Sequence, residues 1–181
     1  MIVFVSLGAY YFVRFGYYPV AIINFRLITA SALNEEYAVV YRYYAGAVLL
    51  PGKNVEMESL EFKKELRRAT LQDLIEKSLI SQELEKRVGR DLVGIVEKKI
   101  NFSTDNKQNL EEAARLLYGL NLADFKEMIL APRAEREILE GRLFLEKKNL
   151  DEWVAEATGD ARVFILTPEF FWKDGSVVLR G

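Results

Sequence analysis

Leu71-Gln-Asp-Leu-Ile-Glu-Lys-Ser-Leu-Ile-Ser-Gln-Glu83 is the stretch on which the fold turns. Leu71, Leu74, Ile75, Leu79 and, on their flank, Ile80 recur at helical spacing, so they share one broad apolar face. Glu76, Lys77, Gln82 and Glu83 fall mostly away from it. The spacing predicts a core helix of a largely helical domain. Reading outward, this helix spans about Glu58 to Val88, with Gly89 as its C-terminal cap.

A chain of 181 residues, half of them hydrophobic and 29% charged, has the composition of one globular domain with a sizeable core. Basic and acidic residues, 25 and 27, are interspersed for a net charge of -2, which argues against a nucleic-acid binder. Histidine and cysteine are both absent. That excludes Ser-His-Asp and Cys-His nucleophiles, typical zinc sites and any disulfide framework. Carboxylates, lysines and tyrosines remain, and no spacing singles one out as catalytic. The runs Lys63–Arg68 and Glu135-Arg-Glu137 read as solvated helix faces with i,i+4 pairs. Asp174-Gly175 reads as turn chemistry, and Trp153 and Trp172 as packing residues.

Met1 to Val13 carries no charge, and after Arg14 the chain continues apolar to Phe25. The first run is short of the roughly 20 residues a spanning helix needs. Tyr10, Tyr11, Phe12, Phe15, Tyr17 and Tyr18 around Arg14 nevertheless form a pattern like an interfacial aromatic belt. Residues 1–18 are therefore expected to be the end of a signal-anchor, with Ile2, Val3, Phe4, Val5, Tyr10, Tyr11, Phe12 and Val13 in the membrane. A buried core element and a packing arm for a partner chain are the alternatives. Residues 19–181 form the domain proper, ending in a β-hairpin.

Val20–Ile28, β-branched and bounded by Pro19 and Thr29, reads as a strand. Thr29 or Ser31 caps a following helix, with Glu35 and Glu36 near its positive end. Leu33, Tyr37, Val40, Tyr41, Tyr44 and Val48 make its expected buried stripe, from which Val39 and Tyr43 depart. Eight of the nine tyrosines fall within the first 44 residues, which concentrates sticky surface here. Tyr41 and Tyr44 are expected to pack inward. Val39, Val40, Tyr43 and Tyr44 are the candidate polypeptide-binding residues, with Val39 and Tyr43 lining an apolar groove.

Further along, Leu50–Asn54 is a loop, Asp91–Ile100 a helix and Asn101–Asn106 a polar connector. Leu110–Tyr118 is helical up to Gly119, and Asn121 caps the next helix with Asp124 at its third position. Pro132 is expected to kink or restart the helix between Phe125 and Lys147. Asn149 caps a last helix, Leu150–Ala157, ended by Gly159. In the tail, Arg162–Thr167, Phe170–Trp172 and Val177–Leu179 are strand-like, with a hairpin turn at Lys173–Ser176. These strands are expected to form one small sheet with Val20–Ile28. The fold class is mostly α with a small β-sheet, its N- and C-terminal strands paired.

Two phrases carry a family resemblance over roughly Val20 to Leu150. L-x-x-L-I-E-x-x-L-I-x-x-E at Leu71–Glu83 resembles the central helix of the SurA-type chaperone N-terminal domain. Gly119-Leu-Asn-Leu-Ala-Asp-Phe125 resembles the G-L-T-x-E-D-F segment joining helices in such domains. Val20, Ala21, Ile23, Asn24, Ile28 and Thr29 match the phrase that opens the family, V-A-x-V-N-G-x-x-I-T. Phe25 departs from it by standing where the family usually has glycine for a tight turn, and Pro132 is a second departure. In SurA, PpiD and PrsA-like envelope proteins the module precedes a proline-isomerase domain. That domain would need about 90 further residues, and the single helix and hairpin after Leu150 cannot supply it.

The resemblance implies a membrane-anchored, extracytoplasmic chaperone-like domain of the cell envelope without isomerase activity. It would bind unfolded or translocating polypeptides. The alternative is a structural subunit of an envelope assembly with one dedicated protein partner, and a homodimer is compatible with either. No cofactor, metal or nucleic acid is implied, and an enzyme using carboxylates or lysine has no supporting constellation.

Overall fold

The computed structural model describes residues 16–48, 57–104 and 109–180. The anchor expected at Ile2, Val3, Phe4, Val5, Tyr10, Tyr11, Phe12 and Val13, and the loop expected at Leu50–Asn54, lie outside these residues. The helices and the small sheets agree with the expected fold class, and the N- and C-terminal strands do pair.

The stretch expected as one strand is instead a hairpin. Strand β1 (Pro19–Ile23) pairs antiparallel with β2 (Arg26–Thr29), reversing at Asn24-Phe25 with φ of 47° and 76°. Positive φ at both central residues suits the right-handed twist of the flanking strands. Asparagine tolerates this region, and Asn24 is also anchored: its N–H donates to the Arg162 carbonyl at 3.1 Å and its Oδ1 accepts from the Arg162 N–H at 3.1 Å. Phe25 has no such freedom; it bears the ~1–2 kcal/mol left-handed penalty and stands 90% exposed. The tight turn thus forms without a glycine.

Strand β3 (Val163–Ile165) joins the other edge of β1, Ala21 opposite Ile165, giving the order β2-β1-β3. The remaining strands do not enter this sheet, contrary to expectation. β4 (Phe170–Lys173) and β5 (Ser176–Leu179) form a separate two-stranded sheet around Asp174-Gly175, where φ is again positive twice. Two turns of this kind isolate two short hairpins rather than one meander.

Helix α1 (Ala30–Val48) starts under a cap, Thr29 Oγ1 accepting from the Ala32 N–H at 3.2 Å. Its fully buried side chains are Ala30, Leu33, Glu36 and Val39. Of the expected stripe, Leu33 is buried, Tyr37, Val40 and Tyr41 are half-buried and Tyr44 is exposed, while Val39, expected off it, is in the core. A charged residue shares the buried face. Glu36, 6% exposed, turns inward to meet Lys77 Nζ at 2.7 Å, and Lys77 also pairs with Asp73 at 2.8 Å. Burial pulls the Lys77 ammonium down, but Asp73 and Glu36 outweigh it and hold its pKa above the ordinary lysine value.

Helix α2 (Leu60–Val88) is capped by Ser59 and closed by Gly89 at φ 70°. A single 3-10 turn leads to α3 (Leu92–Thr104), which absorbs much of the connector expected at Asn101–Asn106. Thr104 closes its last turn by donating to the Ile100 carbonyl at 2.9 Å. Next come α4 (Leu110–Ala113), widening to a π-helical turn at Ala114–Tyr118, and α5 (Leu122–Phe125), widening likewise at Lys126–Leu130. α6 (Ala131–Leu145) follows with Pro132 in its first turn. Proline lacks an N–H and crowds the preceding turn, and the wider π turn just before it accommodates both defects. α7 (Leu150–Asp160), capped by Asn149, runs through Gly159 instead of ending before it.

Two hydrophobic cores result. The first unites Ala21, Ile23 and Leu33 with Leu71, Ile75 and Leu79 of α2 and with Phe170 and Val177 of the second hairpin. The second unites Ile80 and Leu84 of α2 with Leu92, Val96, Ile100, Leu139, Leu143 and Leu150. Trp172 packs against the first core and Trp153 against the second. Each fully buried large aliphatic contributes about 1.5–3 kcal/mol. The second hairpin is held by side chains as well as by packing. Gln72 Oε1 accepts from the Val177 N–H at 2.8 Å, and Arg68 Nη1 donates to the Val177 carbonyl at 3.0 Å.

Replacing Gln72 by Leu is expected to cost about 1–2 kcal/mol in urea denaturation, because it strands a part-buried N–H. Lys64→Ala on the exposed face of the same helix should stay within roughly 0.5 kcal/mol. Lys77→Met leaves Glu36 buried without its cation and should cost roughly 2–3 kcal/mol, less than a fully enclosed pair because Lys77 is partly exposed. The raised lysine contributes fully below its ordinary value of 10.5 and its contribution is lost as pH rises through the folded value. Alkaline titration should therefore erode wild type more than Lys77→Met.

Candidate functional site

A groove with a volume of about 740 Å³ lies between α1 and the segment from Tyr118 to Met128. α1 supplies Glu35, Ala38, Val39, Tyr41, Arg42 and Ala45; the opposite wall is Tyr118, Gly119 and Leu120, then Asp124, Glu127 and Met128. The wall's shape follows from local rules. Gly119 takes the left-handed conformation that ends the π turn, φ 73°, donating its N–H to the Arg115 carbonyl at 3.1 Å. Asn121 then restarts the helix by accepting from the Asp124 N–H at 2.9 Å. Arg42 lies across Gly119 so closely that an added Cβ would sit 2.6 Å from its side chain.

The four candidate residues take different places. Val39, 6% exposed, forms the groove floor. Tyr43, 41% exposed, does not line the groove itself but stacks on Tyr118, which does, ring centroids 5.2 Å apart and planes 14° from parallel. Tyr44 meets Tyr43 edge-on at 6.1 Å and Phe62 of α2 edge-on at 6.4 Å. Val40 is half-buried and does not line the groove. Tyr118 tilts onto buried Phe125 at 5.3 Å. The result is a continuous aromatic ladder, Phe62–Tyr44–Tyr43–Tyr118–Phe125, tying α2 to α5 across the end of α1.

Tyr118, Phe125 and Met128 are site residues that helical spacing does not announce. One signal exists in the sequence: Tyr118 is the ninth tyrosine, far from the other eight and directly before Gly119. Met128 carries none, since only the π turn places it in the wall.

Burial, with Tyr43 beside it, raises the Tyr118 hydroxyl above the ordinary tyrosine range against a smaller pull from Arg133. Tyr41 is raised chiefly by donating to Glu58 at 2.7 Å, and Glu58 is in turn held low by its hydrogen bonds from Lys63 and Tyr41. The groove therefore offers neutral aromatic and aliphatic surface between charged rims at Glu35, Arg42, Asp124 and Glu127. Among the described residues no group of three or more acidic side chains could hold a metal ion. No helix of the described residues is long and apolar enough to cross a membrane.

A double-mutant cycle on Tyr43→Ala and Tyr118→Ala should return a coupling of about 1 kcal/mol, the value for an offset aromatic pair. A coupling near zero would mean that the two rings stack without contributing to stability.

Comparison of the chain with protein-family models, with curated proteins and with solved structures finds no match in any of the three.

Proposed function

We propose that this protein is a chaperone-like domain that binds non-native or translocating polypeptides, tethered through its N-terminus on the extracytoplasmic side of a membrane, and without isomerase chemistry. The observation that carries this reading is the aromatic ladder beside an open groove of about 740 Å³. Exposed aromatic and aliphatic surface next to a concave wall suits apolar segments of many sequences. Binding is reversible burial of roughly 25 cal/mol per Å² of apolar area, so affinity stays modest and specificity low. Gly119, Leu120 and Asp124 of the phrase Gly119–Phe125 form part of the groove wall. No cofactor enters this mechanism.

The rim favours a second reading, a dedicated protein partner. Arg42, Asp124 and Glu127 present fixed charges of both signs, a feature that rewards one complementary surface over many clients.

Light scattering of an aggregating, unrelated client with and without the full chain separates the two. The proposal expects suppression at near-equimolar ratio without ATP, lost in the double variant Tyr43→Glu, Met128→Glu at a temperature where circular dichroism shows that variant still folded. No suppression by folded protein sinks generic holding, and one stoichiometric partner in a pull-down then points to the second reading.

A further inference from the structure

We infer that a second groove, between α2, α3 and the turn Lys126–Leu130, is a binding site for a cationic amphipathic polypeptide segment. This groove has a volume of about 660 Å³. Its floor is apolar: Leu92, Val96 and Ile100 show their outer edges there, and Val93 beside them is 68% exposed. Its walls carry Glu85, Glu97, Glu127 and Glu135 against one cation, Lys126. An occupant that buries apolar area and brings several positive charges satisfies both features at once; a neutral segment satisfies only the floor.

The carboxylates are unequally occupied. Glu85 pairs with Arg26 of the first hairpin. Glu97, Glu127 and Glu135 form no ion pair among the described residues. Glu135 is half-buried; burial pushes its carboxyl up, neighbouring Glu85 adds to the rise, and a hydrogen bond from Ser81 and the charge of Arg26 oppose it. A partly desolvated carboxylate whose neighbouring Arg26 is already paired with Glu85 costs stability that an arriving ammonium or guanidinium recovers. A bare metal ion does not fit, since these carboxylates sit on separate elements and do not converge. The site stands independently of the aromatic ladder; only Glu127 borders both grooves.

The test is fluorescence anisotropy on the full chain with three labelled peptides of equal length: a Leu/Lys amphipathic helix, its Leu/Glu counterpart and a Gly/Lys peptide of the same charge. The proposal expects the Leu/Lys peptide to bind more tightly than both others, with affinity falling as salt rises. E97Q/E135Q should weaken it about tenfold, and Tyr43→Ala should leave it unchanged. E135Q alone should raise Tm at neutral pH. The sign comes from its raised pKa: the folded state holds this proton to higher pH than the unfolded chain, so the charged carboxylate destabilises above that window and is neutral in both states well below it. The Tm gain should therefore disappear in acid.

Equal binding of the Leu/Glu or Gly/Lys peptide by wild type overturns the inference without any variant. Unchanged affinity in E97Q/E135Q, or a lower Tm in E135Q, overturns it too, the latter by making Glu135 a structural residue. None of these results bears on client holding at the first groove.

Discussion

Everything in this fold depends on α2 having to be buried on two different sides. Leu71, Ile75 and Leu79 lie four apart and face the sheet; Ile80 and Leu84 lie four apart and face the helices. The step from Leu79 to Ile80 turns the buried face by about 100°, one residue of helical rotation. A helix with a single stripe could close one core and would leave the other without a wall. The polar reach of α2 obeys the same plan: Arg68 and Gln72 hold the second hairpin, Lys77 holds α1 and Glu85 holds the first hairpin. Each of these side chains sits beside one of the two stripes, so packing and hydrogen bonding fix the same orientation.

Both grooves lie where regular helix gives way. The π turn Ala114–Tyr118 ends in the left-handed Gly119 and delivers a ring to the first groove; the π turn Lys126–Leu130 precedes Pro132 and turns Glu127 and Met128 outward beside it. An extra residue in a turn moves the side chains after it onto another face, and such turns recur at functional sites. Here they give two concave surfaces of differing chemistry on either side of one short segment, one neutral and aromatic, the other apolar at its floor and acidic at its walls.

Much of the architecture is legible in the sequence, and the exceptions have identifiable causes. Caps read well because they are local: Thr29, Gly89, Asn121 and Asn149 each sit at the helix end their side chain or backbone suits. The stripe of α1 reads only in part from spacing because one residue of its buried face is Glu36, which pairs with Lys77 41 residues away, and an acidic residue carries no hydrophobic signal. The first hairpin escapes notice because Phe25 hides the turn that a glycine would announce. Of the four candidate binding residues, only Val39 lines the groove; Tyr43 reaches it through its stack on Tyr118, Tyr44 meets Phe62, and Val40 lies outside it. The facing wall stays invisible, since helical periodicity assumes 3.6 residues per turn and a π turn breaks that count.

Strand β1 finds its second neighbour, β3, only near the far end of the chain, and this separation sets an order of events during synthesis. The second core draws on side chains from Ile80 to Leu150, all of which leave the ribosome before β3 does. The first core cannot close until Phe170 and Val177 have emerged, because both are fully enclosed within it. A nascent chain exposed as far as Leu150 holds every side chain of the second core while one edge of β1, with Ala21 and Ile23, is still without its neighbour. Exposed strand edges and uncovered β-branched side chains are what drives growing chains to aggregate. Until β3 emerges the protein itself belongs to the class of molecules that need shelter.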